Sequence, residues 1–318
     1  MNFIVLEMTY LRCFVPLIIE GNKRGQKSNV FIGSNTKYNC PYKNIVHIKK
    51  LSERYRFEVK PIKEIGNYKD VTFLIEGVGL RYVPKEYKRI SLIYGTDFLC
   101  IGSSYLNEVD KIIFPSEFLA KYYNWVTPKN LYLGDPKYDV CIDANEVLSK
   151  YGLTSSKNAL IIFPQVEVLE KIDLAMLYEY LRQSGYTVIV KSRGKHAVSK
   201  KLRGDMFFED FSWYPHSTME LIKVSDIVVN FNSAAMEECV MLEKPFVNFD
   251  LKKTRPLDFL YNYKYCKELS PNIDEKNFRY CVDGLVGNDW SSEFKEARKK
   301  HLFEPIGISK NILDKVGL

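Results

Sequence analysis

Residues 226–250, DIVVNFNSAAMEECVMLEKPFVNFD, set a run of branched apolar residues (Ile227 to Phe231) directly before Asn-Ser-Ala-Ala. Two adjacent acids follow, and a second apolar run begins after Pro245. A strand that passes at once into a helix and returns as a strand is a βαβ unit. Neither run alternates apolar with polar residues, so both faces of each strand are covered. That is the habit of a parallel sheet with helices on both sides.

The same rhythm extends outward from this stretch. Strands are predicted at Phe3–Glu7, Asn29–Ile32, Val71–Ile75, Ile90–Tyr94, Lys111–Phe114 and Asn130–Leu133, with helices such as Leu11–Lys23 and Glu117–Tyr123 between them. The apolar rhythm lapses after Asp139, and Ala144–Tyr151 reads as a helix ended by Gly152. It then restarts: strands at Ala159–Phe163, Thr187–Lys191, Ile227–Phe231 and Phe246–Phe249, helices at Glu167–Gln183, Ser217–Val224 and Ala234–Leu242. The expected fold is therefore α/β, with two doubly wound, Rossmann-like domains facing one another. Residues 1–140 form the first and 156–290 the second. Residues 141–155 read as a linker and 291–318 as a charged, helical C-terminal segment.

At 318 residues the chain can bury two cores, and its 46% hydrophobic and 27% charged content is ordinary for a soluble globular protein. No apolar run is long enough to span a bilayer and no stretch reads as a leader, so a cytoplasmic protein is expected. Seven cysteines without a C-x-x-C pair fit reduced thiols better than a disulfide framework or a zinc site. With four histidines, His-based metal chemistry is not expected, and no metal or resident cofactor is assigned. Residues 1–140 hold 21 Lys and Arg against 14 Asp and Glu, while the remainder is balanced. The whole surplus of +7 sits in the first domain, which reads as a solvated surface or as the side that meets an anionic partner.

In open α/β sheets, ligands bind beyond the carboxyl ends of the strands, where helix N-termini present backbone N–H groups. The small residues Ser233 and Ala234 let an anion approach such a turn, although Ser233 also suits a plain helix cap with Glu237 in the first turn. A companion stretch, 187-TVIVKSRGKH-196, delivers Lys191, Arg193 and Lys195 at a strand end, where cations can converge on a diphosphate.

The spacing Ser233-x-x-x-x-Glu238, with Pro245 seven residues beyond the acid, resembles the signature of GT-B glycosyltransferases and the related sugar-nucleotide epimerases. In that superfamily the Glu of an E-A-x-x-x-G-x-P pattern binds the ribose hydroxyls of a nucleotide sugar. The resemblance implies that role for Glu238, with Ser233 and Ala234 holding the diphosphate; Glu243 stands where the pattern has Gly. Three further stretches resemble the branch containing CDP-glycerol glycerophosphotransferases. They are 134-GDPKYD-139, 93-IYGTDF-98 for an H-G-T-P motif, and 213-WYPHSTMELIKVSD-226, whose His216 and Ser217 fall where the donor base is contacted. Together these cover roughly residues 70–250. Tyr94 replaces the His of that branch, so another base is needed to deprotonate an acceptor hydroxyl. Asp97, near a strand end, is the first candidate, and Glu76, in 73-FLIEG-77, is the second.

No D-x-D occurs, and no G-x-x-x-x-G-K-[ST], which excludes a P-loop NTPase. The expectation is a metal-independent transferase that moves a sugar from a nucleotide-sugar co-substrate to a hydroxyl of an anionic acceptor. The acceptor would be bound by the basic first domain through Arg12, Lys23, Arg24 and Lys137. Hydroxymethylated DNA is the favoured acceptor and a phosphate-bearing surface polymer the next. A sugar-nucleotide epimerase and a non-catalytic nucleic-acid-binding protein are the remaining readings.

Overall fold

The Val- and Ile-rich runs become the strands of two parallel sheets in the computed structural model, which describes residues 1–33, 42–94, 103–154, 157–163, 172–192, 197–209, 214–249, 251 and 257–318. The chain divides into two compact units, Met1–Val140 with Lys300–Leu318, and Cys141–Lys299.

In the first unit the strands are β1 (Asn2–Val5), β2 (Asn29–Ile32), β3 (Glu58–Pro61), β4 (Thr72–Ile75), β5 (Arg89–Leu92), β6 (Lys111–Phe114) and β7 (Asn130–Tyr132). The helices are α1 (Leu11–Lys23), α2 (Tyr42–Tyr55), α3 (Ser103–Leu106) and α4 (Glu117–Tyr122). The sheet order is β3-β2-β1-β4-β5-β6-β7, and every pairing is parallel. Direction of travel therefore reverses between β1 and β4, which makes their carboxyl ends the switch point of this sheet. Phe3 on β1 stacks on Phe73 of β4 at 5.2 Å and meets Phe14 of α1 at the same centroid distance. These rings seal one face of the sheet at its centre.

The second unit holds α5 (Ala144–Tyr151), β8 (Asn158–Ile162), α6 (Leu174–Gln183), β9 (Thr187–Ser192), β10 (Met206–Glu209), α7 (Ser217–Lys223), β11 (Ile227–Asn230), α8 (Ala235–Met241), β12 (Phe246–Phe249), β13 (Cys266–Leu269), α9 (Glu275–Val286) and most of α10 (Ser291–His301). Its order, β10-β9-β8-β11-β12-β13, repeats the winding of the first sheet, with the switch point between β8 and β11. Ile161, Val188, Val190, Val229, Phe249, Leu177 and Phe278 meet in the core between this sheet and helices α6 and α9.

Two boundaries differ from the sequence expectation. The expected linker, 141–155, contains α5, which is fastened within the second unit. Lys150 Nζ donates to both carboxylate oxygens of Glu220 on α7 (2.7 and 2.9 Å), and the Tyr151 hydroxyl donates to Oε2 at 2.6 Å. The C-terminal segment is not one body. After α10 the chain returns to the first unit, where α11 (Ile308–Val316) packs on α1. Gly134, at φ +88°, allows this return: a Cβ there would stand 2.9 Å from the Phe303 ring and 3.1 Å from Ile308. The predicted helix Glu167–Gln183 is seen from Leu174, its earlier part lying outside the described residues.

Candidate functional site

In the second unit, β11 ends at Asn230 and the chain turns into α8 through Phe231, Asn232, Ser233 and Ala234. Asn232 takes a left-handed backbone (φ +51°), which asparagine tolerates better than most residues. A buried amide clasp fixes that turn. Asn248 Oδ1, on the neighbouring strand β12, accepts from the Asn232 backbone N–H (2.9 Å) and from Asn230 Nδ2 (3.0 Å). Asn248 Nδ2 in return donates to Asn232 Oδ1 at 2.7 Å. Asn230 and Asn248 are register partners in the sheet and both are fully buried. The sequence reading missed this trio. Its signal was available, because a polar residue inside an unbroken Val, Ile and Phe run must be hydrogen-bonded to be tolerated there.

Ser233 is not a simple cap. Its hydroxyl accepts from Ala235 N at 3.3 Å, while Ala234 holds the cap position without a side-chain bond and is exposed. One turn into α8, Glu237 and Glu238 are both buried, which overturns the bland reading of surface acids on a helix. Glu238 Oε1 stands 3.2 Å from Nδ1 of His216, the residue that opens α7, and the two side chains are only 9% and 7% exposed. The approach is of ion-pair length without the alignment of a good hydrogen bond. Ser217, next to His216 at the start of α7, is buried too.

Lys191 ends β9 with its side chain buried and its Nζ donating to Ser192 O at 3.2 Å. It lies on the same carboxyl edge of the sheet as the α8 turn, two strands away, a separation of about 10 Å. Arg193 and Lys195 lie outside the described residues.

In the first unit, Glu76 follows directly on β4 at the switch point. Its backbone is left-handed (φ +51°), an expensive conformation for a glutamate, and its side chain is buried. The turn closes through Gly77, whose N–H donates to Ser91 Oγ at 2.9 Å, and Gly79, where a Cβ would meet Ile4 at 2.7 Å. Asp97 lies outside the described residues.

The four expected acceptor cations do not form one patch. Arg12, near the start of α1, is buried and donates from Nη1 to the Tyr94 hydroxyl at 3.1 Å; Lys137 Nζ sits over the Tyr94 ring at 5.7 Å. Lys137 also approaches Asp135 (3.7 Å), whose other oxygen receives the Cys13 thiol at 3.3 Å. Burial and the Asp135 charge push that thiol well above its usual pKa, so it stays protonated. Lys23 and Arg24 sit at the far end of α1, roughly 17 Å along its axis from Arg12. Lys23 pairs with Glu20 at 3.2 Å. Arg24 spans Glu20, Asp314 and the Leu318 carbonyl, which anchors α11. Helix α1 leaves the sheet at its carboxyl edge, so only Arg12 and Lys137 accompany Glu76 there.

No protein-family model matches the chain, and no curated protein matches its sequence. Solved structures do match it, along nearly the whole length. An assigned UDP-N-acetylglucosamine 2-epimerase from Listeria monocytogenes superimposes with a TM-score of 0.69 at 13% identity, covering 99% of this chain and 95% of that one. A variant of the wall teichoic acid polymerase TagF gives 0.67 at 14% identity, covering 99% and 87%. Anabaena HepE, in complex with UDP and glucose, gives 0.55 at 10% identity, covering 99% and 98%.

The fold is GT-B. Within this GT-B chain, the one departure from the Glu-to-Pro signature has a physical account. Glu243, standing where the pattern has Gly, adopts the left-handed backbone (φ +55°) that glycine would supply, and Lys244 N closes the helix end on Cys239 O at 2.9 Å. Its carboxylate meets Arg298 of α10 at 2.7 Å. The ion pair offsets backbone strain of about 1–2 kcal/mol. Replacing Glu243 by Gly should therefore change stability little, since strain and ion pair are lost together. Glu243→Ala keeps the strain and loses the pair, and is expected to be less stable than Glu243→Gly by about 1 kcal/mol in chemical unfolding. Equal stabilities would show that the conformation carries no strain.

Proposed function

We propose that this chain is a nucleotide-sugar-dependent glycosyltransferase whose second unit holds the donor. The observation that carries the reading is the buried Glu238 carboxylate, fixed against His216 on the carboxyl edge of the second sheet, close to its switch point. A carboxylate accepts two hydroxyl donors, as a ribose diol requires. Lys191, together with Arg193, Lys195 and the turn at Ser233 and Ala234, would neutralise the diphosphate as the bond from the anomeric carbon to its oxygen breaks. In the first unit Glu76 is the base that takes the proton from the acceptor hydroxyl as its oxygen bonds to that carbon, with Asp97 as the alternative base. No resident metal or cofactor is invoked.

The acceptor is proposed to be anionic, because the surplus positive charge belongs to residues 1–140 and Arg12 and Lys137 stand on the carboxyl edge with Glu76. A hydroxymethylated base in DNA is the first choice and a phosphate-bearing surface polymer the second.

The test is thermal unfolding with UDP, CDP, GDP and ADP in excess, on wild type and on Glu238→Ala. A ligand at a hundred times its Kd stabilises by about 2.7 kcal/mol, which moves the midpoint by several degrees. One nucleotide is expected to shift wild type and not the variant. Sugar transfer from the corresponding donor is then measured on hydroxymethylated DNA and on a phosphate-bearing polymer. Conversion of the donor sugar with no acceptor present would replace the transferase by an epimerase. No shift with any nucleotide would remove both.

A further inference from the structure

A glutamate has three side-chain rotors, and a ribose diol is read only if the carboxylate is already aimed. In the second unit, the group that aims Glu238 is an imidazole with two rotors, itself 7% exposed and standing at the first turn of α7, which packs against α8. We propose that His216 is a positioning residue for Glu238, and that the pair makes the donor site selective for ribonucleotides over their 2′-deoxy forms. The proposal rests on the donor-site reading of Glu238.

Three features support it. First, the partners come from different helices, so their contact ties the first turn of α7 to α8 instead of merely decorating one helix. Second, the ionised carboxylate has about four acceptor positions, and an imidazole N–H on Oε1 uses one. The rest suffice for two ribose hydroxyls. Third, the carboxylate is 9% exposed. A ligand lacking the 2′-hydroxyl would leave one buried acceptor position unfilled, and a site built around a hydroxyl rejects the analogue that lacks it. The loose alignment at 3.2 Å is what a site without its ligand shows; such contacts tighten on binding.

The test is calorimetric titration of each of UDP, CDP, GDP and ADP against its 2′-deoxy form. It is run on wild type, His216→Phe and His216→Asn. Phenylalanine keeps the ring and removes the N–H; the Asn side-chain amide can place a donor where Nδ1 stood. Wild type is expected to prefer the ribonucleotide at least tenfold. His216→Phe should bring that ratio towards one, chiefly by weakening the ribonucleotide, and His216→Asn should restore most of it. If His216→Phe does not fold, His216→Ala with and without added imidazole replaces it, and the ratio should recover when imidazole is present. A lower unfolding temperature with an unchanged ratio would overturn the proposal, leaving His216 a packing residue. A ratio near one in wild type would also overturn it, while leaving the donor site in place. Failure of every nucleotide to bind wild type would remove the donor-site reading, and this proposal with it.

Discussion

Replacing Asn248 by Leu is expected to destabilise the second unit by about 3 kcal/mol or more. The side chain is close to isosteric, so little of the loss comes from a cavity. It comes from the groups left behind: the Asn232 N–H, the Asn230 amide donor and Asn232 Oδ1 all lose the partner they share. Asn230 is fully buried and Asn232 nearly so, and each buried group left without a partner costs about 1–3 kcal/mol. Asn232 would also lose the bonds that hold its left-handed turn. Urea unfolding followed by fluorescence should show an earlier transition for the second unit with the slope unchanged. A loss below about 1 kcal/mol would mean that solvent replaces the Asn248 amide, and that the clasp does not hold the turn.

The second large effect concerns Glu76. If it is the base, Glu76→Gln keeps its shape and hydrogen-bonding reach but removes the proton acceptor, and kcat should fall by roughly 10²–10⁴. Donor affinity, set in the other unit, should not change. The left-handed backbone at Glu76 is kept by glutamine at similar cost, so stability should hold as well. Asp97→Asn is the control. A large fall in kcat for Asp97→Asn, with Glu76→Gln near wild type, would move the base to Asp97 and leave Glu76 a strained turn residue.

The central strands were legible in the sequence and the edges were not. Strands β1, β4, β5, β8, β11 and β12 are buried on both faces, and their uninterrupted Val, Ile and Phe runs announce that. The strands that escaped, β3 (EVKP), β10 (MFFE) and β13 (CKEL), are all at sheet edges. Edge strands meet solvent and carry charge, so their apolar signal fades into that of a loop. The same holds at the candidate site. The spacing from Glu238 to Pro245 could be read along the chain. The contact of Glu238 with His216 could not, because 22 positions and a strand separate them and only packing of α7 on α8 joins them. Charge was legible in amount but not in place. Arg12 and Arg24 lie in one basic stretch of sequence, yet one bonds Tyr94 at the carboxyl edge and the other anchors a C-terminal helix.

That anchoring has a consequence for how the chain is made. Residues 141–299 form the second unit as one continuous stretch, whereas the first unit needs residues 300–318 to cover α1. At about 5–20 residues per second of synthesis, the first 140 residues wait roughly 10–30 s for that cover. The unit begun later is thus the first to be completed on the ribosome. In the interval the apolar face of α1 around Phe14, Leu17 and Ile18 lacks part of its native packing. That makes the nascent first unit, and not the finished protein, the natural client of a chaperone.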